Sequence, residues 1–191
     1  MDNSKGTLFI VSAPSGTGKT TIIKRILSEF PEMVYSVSAT TRKKRLDETN
    51  GKDYYFISEE EFERKIKAGE FAEWEKFYDY YYGTLKRYID EALQNRKNIL
   101  LEIDVKGALT IKGKYPDAVL IYIVPPSFEE LKTRLKKRHT ENEDDFRKRI
   151  ERAEIELRYK DKFDYFVNNL EIEKAVLDLR NLIENIIKEK K

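Results

Sequence analysis

Short continuous apolar runs alternate along the chain with longer segments whose apolar residues recur every three or four positions. Runs at residues 7–11, 98–104 and 119–124 predict apolar strands buried in a sheet. Residues 34–38, 53–57 and 163–167 predict further short strands, and 71–77 alternates apolar with charged residues, as a half-exposed strand does. Between them, Ile22, Ile23, Ile26, Leu27 and Phe30 lie at helical spacing and predict a helix over 20–30, ended by Pro31. Ser58 with Glu61, and Ser127 with Glu130, match capping boxes that open helices through 67 and 137; Gly69 closes the first. Further helices are expected at 85–95 behind Thr84, at 105–114, up to about 159, and at 172–187. Residues 39–51 read as a polar loop or hairpin tip, and 78–83 as a tyrosine-rich turn.

Strands alternating with helices predict a doubly wound α/β fold with a parallel sheet. Residues 35–83 differ in texture, with short alternating strands, many tyrosines and a basic loop, and predict an inserted, mainly-β subdomain. The pattern shows no internal repeat and no flexible linker.

Chemistry enters first at the end of the first strand. Ala13-Pro14-Ser15-Gly16-Thr17-Gly18-Lys19-Thr20-Thr21 leads from the strand into the helix, the layout of a Walker A phosphate loop. Glycines let backbone N–H groups approach a polyphosphate, and the following helix points its positive end at the anion. Lys19 can reach the β/γ-phosphates, and the Thr20 hydroxyl can coordinate Mg²⁺. Ala13 stands where the general pattern has glycine, which requires a negative φ there. The strand ending in Glu102 and Asp104 resembles a Walker B element, either carboxylate being able to hold the Mg²⁺ shell through water. Arg42 and Arg45 flank a basic run beside Ser38, Thr40, Thr41 and Tyr54, which suits either a phosphate clamp or a solvated loop. Arg134, Arg138 and Arg149 suit either transition-state charge stabilisation or an exposed helical face. The lone His139 reads as a surface residue.

Composition narrows little further. Lys plus Arg number 37 and Asp plus Glu 35, a net charge of +2, so nothing calls for a nucleic-acid partner. The absence of cysteine excludes disulfides and thiolate chemistry. No signal-peptide core and no membrane-length apolar run is seen, so a cytoplasmic protein with no membrane partner is expected.

Taken together, these motifs resemble the guanylate kinase family over about residues 7–180. The resemblance rests on the Ser12–Lys19 loop, on Ser38-Ala39-Thr40-Thr41-Arg42 with Arg45, Glu48, Gly51 and Tyr54, and on Phe71-Ala72-Glu73-Trp74 and Tyr81-Tyr82-Gly83-Thr84. It also rests on Leu101-Glu102-Ile103-Asp104, on Pro125-Pro126-Ser127 with Arg134, Leu135, Arg138 and Arg149, and on Val167-Asn168-Asn169. It implies a P-loop core (1–34, 84–137, 160–191), a GMP-binding subdomain (35–83) and a helical lid (138–159). The activity implied is Mg²⁺-dependent transfer of the ATP γ-phosphoryl group to GMP, or dGMP, by a monomer or homodimer.

Residue by residue, the resemblance implies that Ala13 to Thr21 and Asn168 bind ATP. Arg42, Arg45, Tyr54 and Tyr82 would hold the GMP phosphate, Glu73 the guanine N1–H and 2-amino group, and Ser38 and Thr84 its O6. Glu48, Gly83, Glu102 and Asp104 complete the GMP set. Lys19, Arg42, Arg134, Arg138, Arg149 and Asp104 are the implied catalytic residues. The chain departs from the family pattern at Lys44, Asp47, Lys106 and His139, none of them an implied catalytic group. Other readings on the same fold are a non-catalytic binding module, disfavoured by the intact loop and arginines, and a kinase for another small molecule, disfavoured by Glu73 with Ser38 and Thr84.

Overall fold

The computed structural model describes residues 6–77, 79–136 and 143–190, without the side chains of 143–145. Tyr78, Arg138 and His139 lie outside the described residues. In chain order the elements are β1 (Leu8–Ser12), α1 (Lys19–Glu29), β2 (Val34–Ser36), β3 (Ala39–Thr40), β4 (Tyr55–Phe56), α2 (Glu59–Lys67), β5 (Phe71–Phe77) and β6 (Tyr80–Leu85). There follow α3 (Lys86–Gln94), β7 (Ile99–Glu102), α4 (Val105–Lys114), β8 (Val119–Val124), α5 (Phe128–Lys136), α6 (Glu143–Leu157), β9 (Tyr165–Asn168) and α7 (Ile172–Glu189).

Five strands form a parallel sheet in the order β2-β7-β1-β8-β9. β1 lies at its centre, and successive side chains point to opposite faces. Phe9 and Val11 pack with Ile22, Ile23 and Ile26 of α1 and with Leu179 and Ile183 of α7. Leu8 and Ile10 pack on the other face with Ile89 of α3 and Val105, Ala108 and Ile111 of α4. Apolar residues on both faces explain why these strands read as continuous hydrophobic runs. The sheet is the expected doubly wound one.

The second sheet is built from 39–85, in the order β4-β3-β6-β5. β3 pairs parallel with β4 and antiparallel with β6, and β6 pairs antiparallel with β5. Its core is Ala39, Phe62, Phe71 and Leu85, with Phe62 stacked on Phe71 at 4.3 Å. Gly83 lies under these rings: a Cβ there would sit 2.8 Å from Phe71 Cδ1 and 3.0 Å from Phe62 Cζ. A bulge between Phe71 and Glu73 shifts the β5–β6 register. Phe71, Ala72 and Glu73 are consequently buried in succession, which strict alternation would not allow.

Both serines cap as expected, with the Ser58 hydroxyl accepting from the Glu61 N–H at 3.1 Å and the Ser127 hydroxyl from the Glu130 N–H at 3.0 Å. Three local expectations are corrected. Ala39–Thr40 is strand, not loop, because its backbone is claimed by β4 and β6 on either side. Tyr80–Leu85 is strand, not turn, because the tyrosines pair along β5. Thr84 does not cap α3; Leu85 is the N-cap, without a side-chain bond, and the Thr84 hydroxyl turns inward to Glu73.

Candidate functional site

The loop from Ala13 to Gly18 joins the central strand β1 to α1, so it emerges from the middle of the parallel sheet. Gly16 and Gly18 have φ of +87° and +93°, a region that disfavours side chains. Among the described non-glycine residues only Arg96 has positive φ, so Ala13 stands without strain and needs no glycine. The same holds for Asp47 in the basic loop. The loop is braced from within, where the Thr17 hydroxyl donates to the Pro14 carbonyl at 2.7 Å. It is braced from outside by buried Asn169, whose Nδ2 donates to the Thr17 carbonyl at 2.6 Å. Asn168, the expected base contact, is exposed at the end of β9. Pro14 is buried, Ser15 half-buried and Thr21 exposed.

Lys19 opens α1 and its Nζ donates to the Ile103 carbonyl at 2.9 Å. The Thr20 hydroxyl donates to Glu102 Oε1 at 2.6 Å, and Tyr35 reaches the other oxygen at 3.4 Å. Of the two carboxylates that the sequence left open beside Thr20, Glu102 is therefore the one in contact. A hydroxyl and a carboxylate are hard oxygen donors of the kind Mg²⁺ takes in addition to phosphates and water. Among the described residues no group of three or more His, Cys, Asp or Glu forms a dedicated metal cage.

Asp104 has different partners. One oxygen accepts the Gly107 N–H at 2.7 Å, capping α4, and the other accepts Arg152 Nη2 at 2.9 Å. Burial opposes its charge, but a hydrogen bond from the protonated Glu75 carboxyl, the Gly107 N–H and the nearby cations Arg152 and Lys19 outweigh it and hold the carboxyl below its usual range. Glu73, only 8% exposed, accepts the Thr84 hydroxyl at 2.6 Å. Burial pushes its carboxyl up to about 7, against the opposing pull of Thr84.

On the second sheet Arg42 forks onto Glu48, Nη1 to Oε2 at 3.0 Å and Nη2 to Oε1 at 2.6 Å. Its guanidinium lies 5.5 Å from the Tyr54 ring centroid, and Tyr82 stands edge-on to Tyr54 at 6.1 Å. Burial pushes the Tyr54 hydroxyl up to about 12. The Arg45 side chain is exposed, and its backbone N–H also donates to Glu48, at 2.8 Å. Ser38 is half-buried between β2 and β3, beside the Ala39–Gly83 pairing. Arg134 on α5 donates to Glu130 at 2.9 Å, and Arg149 lies half-buried on α6. Arg138 cannot be placed, being outside the described residues.

One residue the sequence reading passed over is Arg152. Its spacing to Glu156 looks like an ordinary i,i+4 surface pair. It is instead 22% exposed, and it meets Glu75 and Asp104, residues distant in sequence. Only the tertiary fold reveals that.

The guanylate kinase family model matches residues 5–186. Guanylate kinase of Thermotoga maritima is 48% identical over 172 residues, covering 90% of this chain and 83% of that protein. The one from Caldanaerobacter subterraneus subsp. tengcongensis is 46% identical over 179 residues, covering 94% and 87%. The crystal structure of guanylate kinase from Anaplasma phagocytophilum superposes with a TM-score of 0.80 at 31% identity, covering 97% of this chain and 88% of that one. With a glycine loop at the centre of a parallel sheet and a buried carboxylate in a second sheet, matched over nearly the whole chain, the protein belongs to the guanylate kinase family.

Proposed function

We propose that the protein transfers the γ-phosphoryl group of ATP to GMP, giving ADP and GDP. A GMP phosphate oxygen forms the new bond to the γ-phosphorus as the bond to the β,γ-bridging oxygen breaks, and ADP leaves. The chain supplies position and charge and forms no covalent intermediate.

The observation that best supports this reading is Glu73. A carboxylate buried to 8% exposure and bonded to Thr84 offers acceptors where guanine carries N1–H and a 2-amino group. Adenine presents no such pair of donors, and buried polar sites of this kind discriminate by up to about 10⁴–10⁵. Thr84 and Ser38 would face O6. Arg42, Arg45, Tyr54 and Tyr82 would hold the acceptor phosphate, with Glu48 keeping the Arg42 fork in place meanwhile.

Backbone N–H groups of the 13–18 loop, Pro14 excepted, and the α1 N-terminus would cradle the donor phosphates. Lys19, Arg134, Arg138 and Arg149 would stabilise the charge on the moving group, and Asn168 would meet the ATP base. Thr20 and Glu102 would hold Mg²⁺ through hydroxyl and water. When bound, Mg²⁺ neutralises phosphate charge and orients the β- and γ-groups. We assign the second sheet, 39–85, as the GMP-binding subdomain and 138–159 as the lid, with β2 (34–36) paired in the core sheet. All these residues come from one chain, so a monomer and a homodimer serve equally. Among the described residues no helix is long and apolar enough to cross a membrane, and the cytoplasm is the setting we propose.

The test is ADP release in a coupled assay with ATP and a panel of GMP, dGMP, AMP, UMP and CMP. Release with GMP and dGMP alone is expected; no GMP-dependent release would overturn the reading.

A further inference from the structure

Three parts of the molecule meet at one guanidinium. Arg152 extends from α6, and its Nη2 donates to Glu75 Oε2 on β5 at 2.6 Å and to Asp104 Oδ2 at the start of α4 at 2.9 Å. Its Nε donates to Glu156 on its own helix at 2.8 Å. The guanidinium also lies 4.2 Å from the Phe77 ring centroid, at the end of β5. Glu75 stands two residues beyond Glu73 on one strand, hence on the same face, and opposite Tyr82. Asp104 in turn fixes the first turn of α4 through Gly107. Glu73 lies against that turn: a Cβ on Gly107 would be 2.9 Å from Glu73 Oε2 and 3.4 Å from Asp104 Oδ1.

We propose that Arg152 is a positioning residue of the acceptor site, fixing Asp104 and Glu75 so that Glu73 meets a guanine at its correct place. Arg152 touches neither reacting phosphate in this role. It acts through a chain of contacts, from α6 to Asp104, to the first turn of α4, to Glu73. A guanidinium suits the task because its planar fork serves three carboxylates from one side chain, which an ammonium cannot reproduce. Without it, Glu75 and Glu156 lose the donor they share and Asp104 loses its lateral hold.

The inference rests on the proposed GMP kinase activity. The test is steady-state kinetics of wild type, Arg152→Met and Arg152→Lys, varying GMP and ATP separately, with folding followed by thermal melting. For Arg152→Met the GMP KM rises about tenfold or more, the scale of one lost charge-assisted hydrogen bond, while the ATP KM stays within about twofold. For Arg152→Lys the rise is smaller, about threefold, and again confined to GMP. Parallel rises in both KM values, or a fall in kcat with the GMP KM unchanged, would overturn the inference. Either would mark a residue that only holds α6 in place. If Arg152→Met gives no cooperative melt, Arg152→Lys decides alone, an unchanged GMP KM overturning the inference. Wild type that releases no ADP with GMP would instead refute the activity on which it rests.

Discussion

Single side chains divide the work between charge and recognition, and their substitutions separate the two. Lys19 serves the donor phosphates in our reading, so Lys19→Ala lowers kcat by about 10²–10³, as loss of one stabilising donor does, with the GMP KM little changed. Steady-state kinetics with each substrate varied checks this. Glu73→Gln puts an amide where two acceptors are needed, and the ratio of kcat/KM for GMP over AMP falls by about 10². Glu73 also makes recognition pH-dependent. Burial raises its carboxyl from 4.5 to about 7, so near pH 6 the unliganded site carries a proton that GMP must displace. GMP affinity therefore strengthens as pH rises through about 7 and then levels off, by calorimetry; Glu73→Gln flattens the rise, leaving the share of Glu75, whose carboxyl burial and Asp104 also push up to about 7. The sign for folding is opposite. Between 4.5 and about 7 the folded chain keeps a proton at Glu73 that the unfolded chain has released, so this group's contribution to stability falls as pH rises through that window. Lys19 was legible in the sequence as part of a local pattern, the phosphate loop, whereas Glu73 was reached only through the family resemblance. Arg152 was not legible, because its partners lie 77 and 48 positions away.

At the scale of elements, the phosphate loop is held by a residue from the far end of the chain. Asn169, just after β9, donates to the Thr17 carbonyl at 2.6 Å in a buried setting. Asn169→Ala leaves that carbonyl without its donor, at a cost of about 1–3 kcal/mol in stability, and raises the ATP KM more than the GMP KM. A thermal melt and the two KM values check it. The helices were readable from spacing and capping, since 3.6-residue periodicity and Ser-x-x-Glu are signals within one segment. β3 and β6 were not. β3 has two residues, too few for any period, and β6 has tyrosines that suit a turn as well as a strand. The bulge that buries Glu73 also breaks the alternation from which β5 was read, though the strand itself survived as expected.

Across the whole molecule, in our reading, the phosphate loop rises from the five-stranded sheet, and Glu73, Tyr82 and Thr84 of the acceptor site lie on the four-stranded one. Binding both nucleotides ties the two bodies together as well as filling each. A ligand at about 100 times its Kd stabilises by about 2.7 kcal/mol, and for a chain of this size each kcal/mol moves Tm by about 2–4 °C. GMP with a non-transferable ATP analogue therefore raises Tm by more than the two separate shifts combined, measurable by calorimetric melting; strictly additive shifts would show that the bodies do not communicate. The doubly wound core was legible from strand–helix alternation, and the inserted section from its change of texture. The exact join was not, because nothing local marks where one sheet yields to the other. That join has one further consequence. The insertion enters through β3 and leaves through β6, and these strands are neighbours, with Ala39 opposite Gly83. Its two ends are thus side by side, so residues 39–85 leave and rejoin the parallel core at one place, although Ala72 of β5 still packs on α4. In our reading, selection, or an engineer, can exchange the acceptor module as a single piece of chain, provided the new piece packs on α4, while the parallel sheet beneath it keeps its strand order.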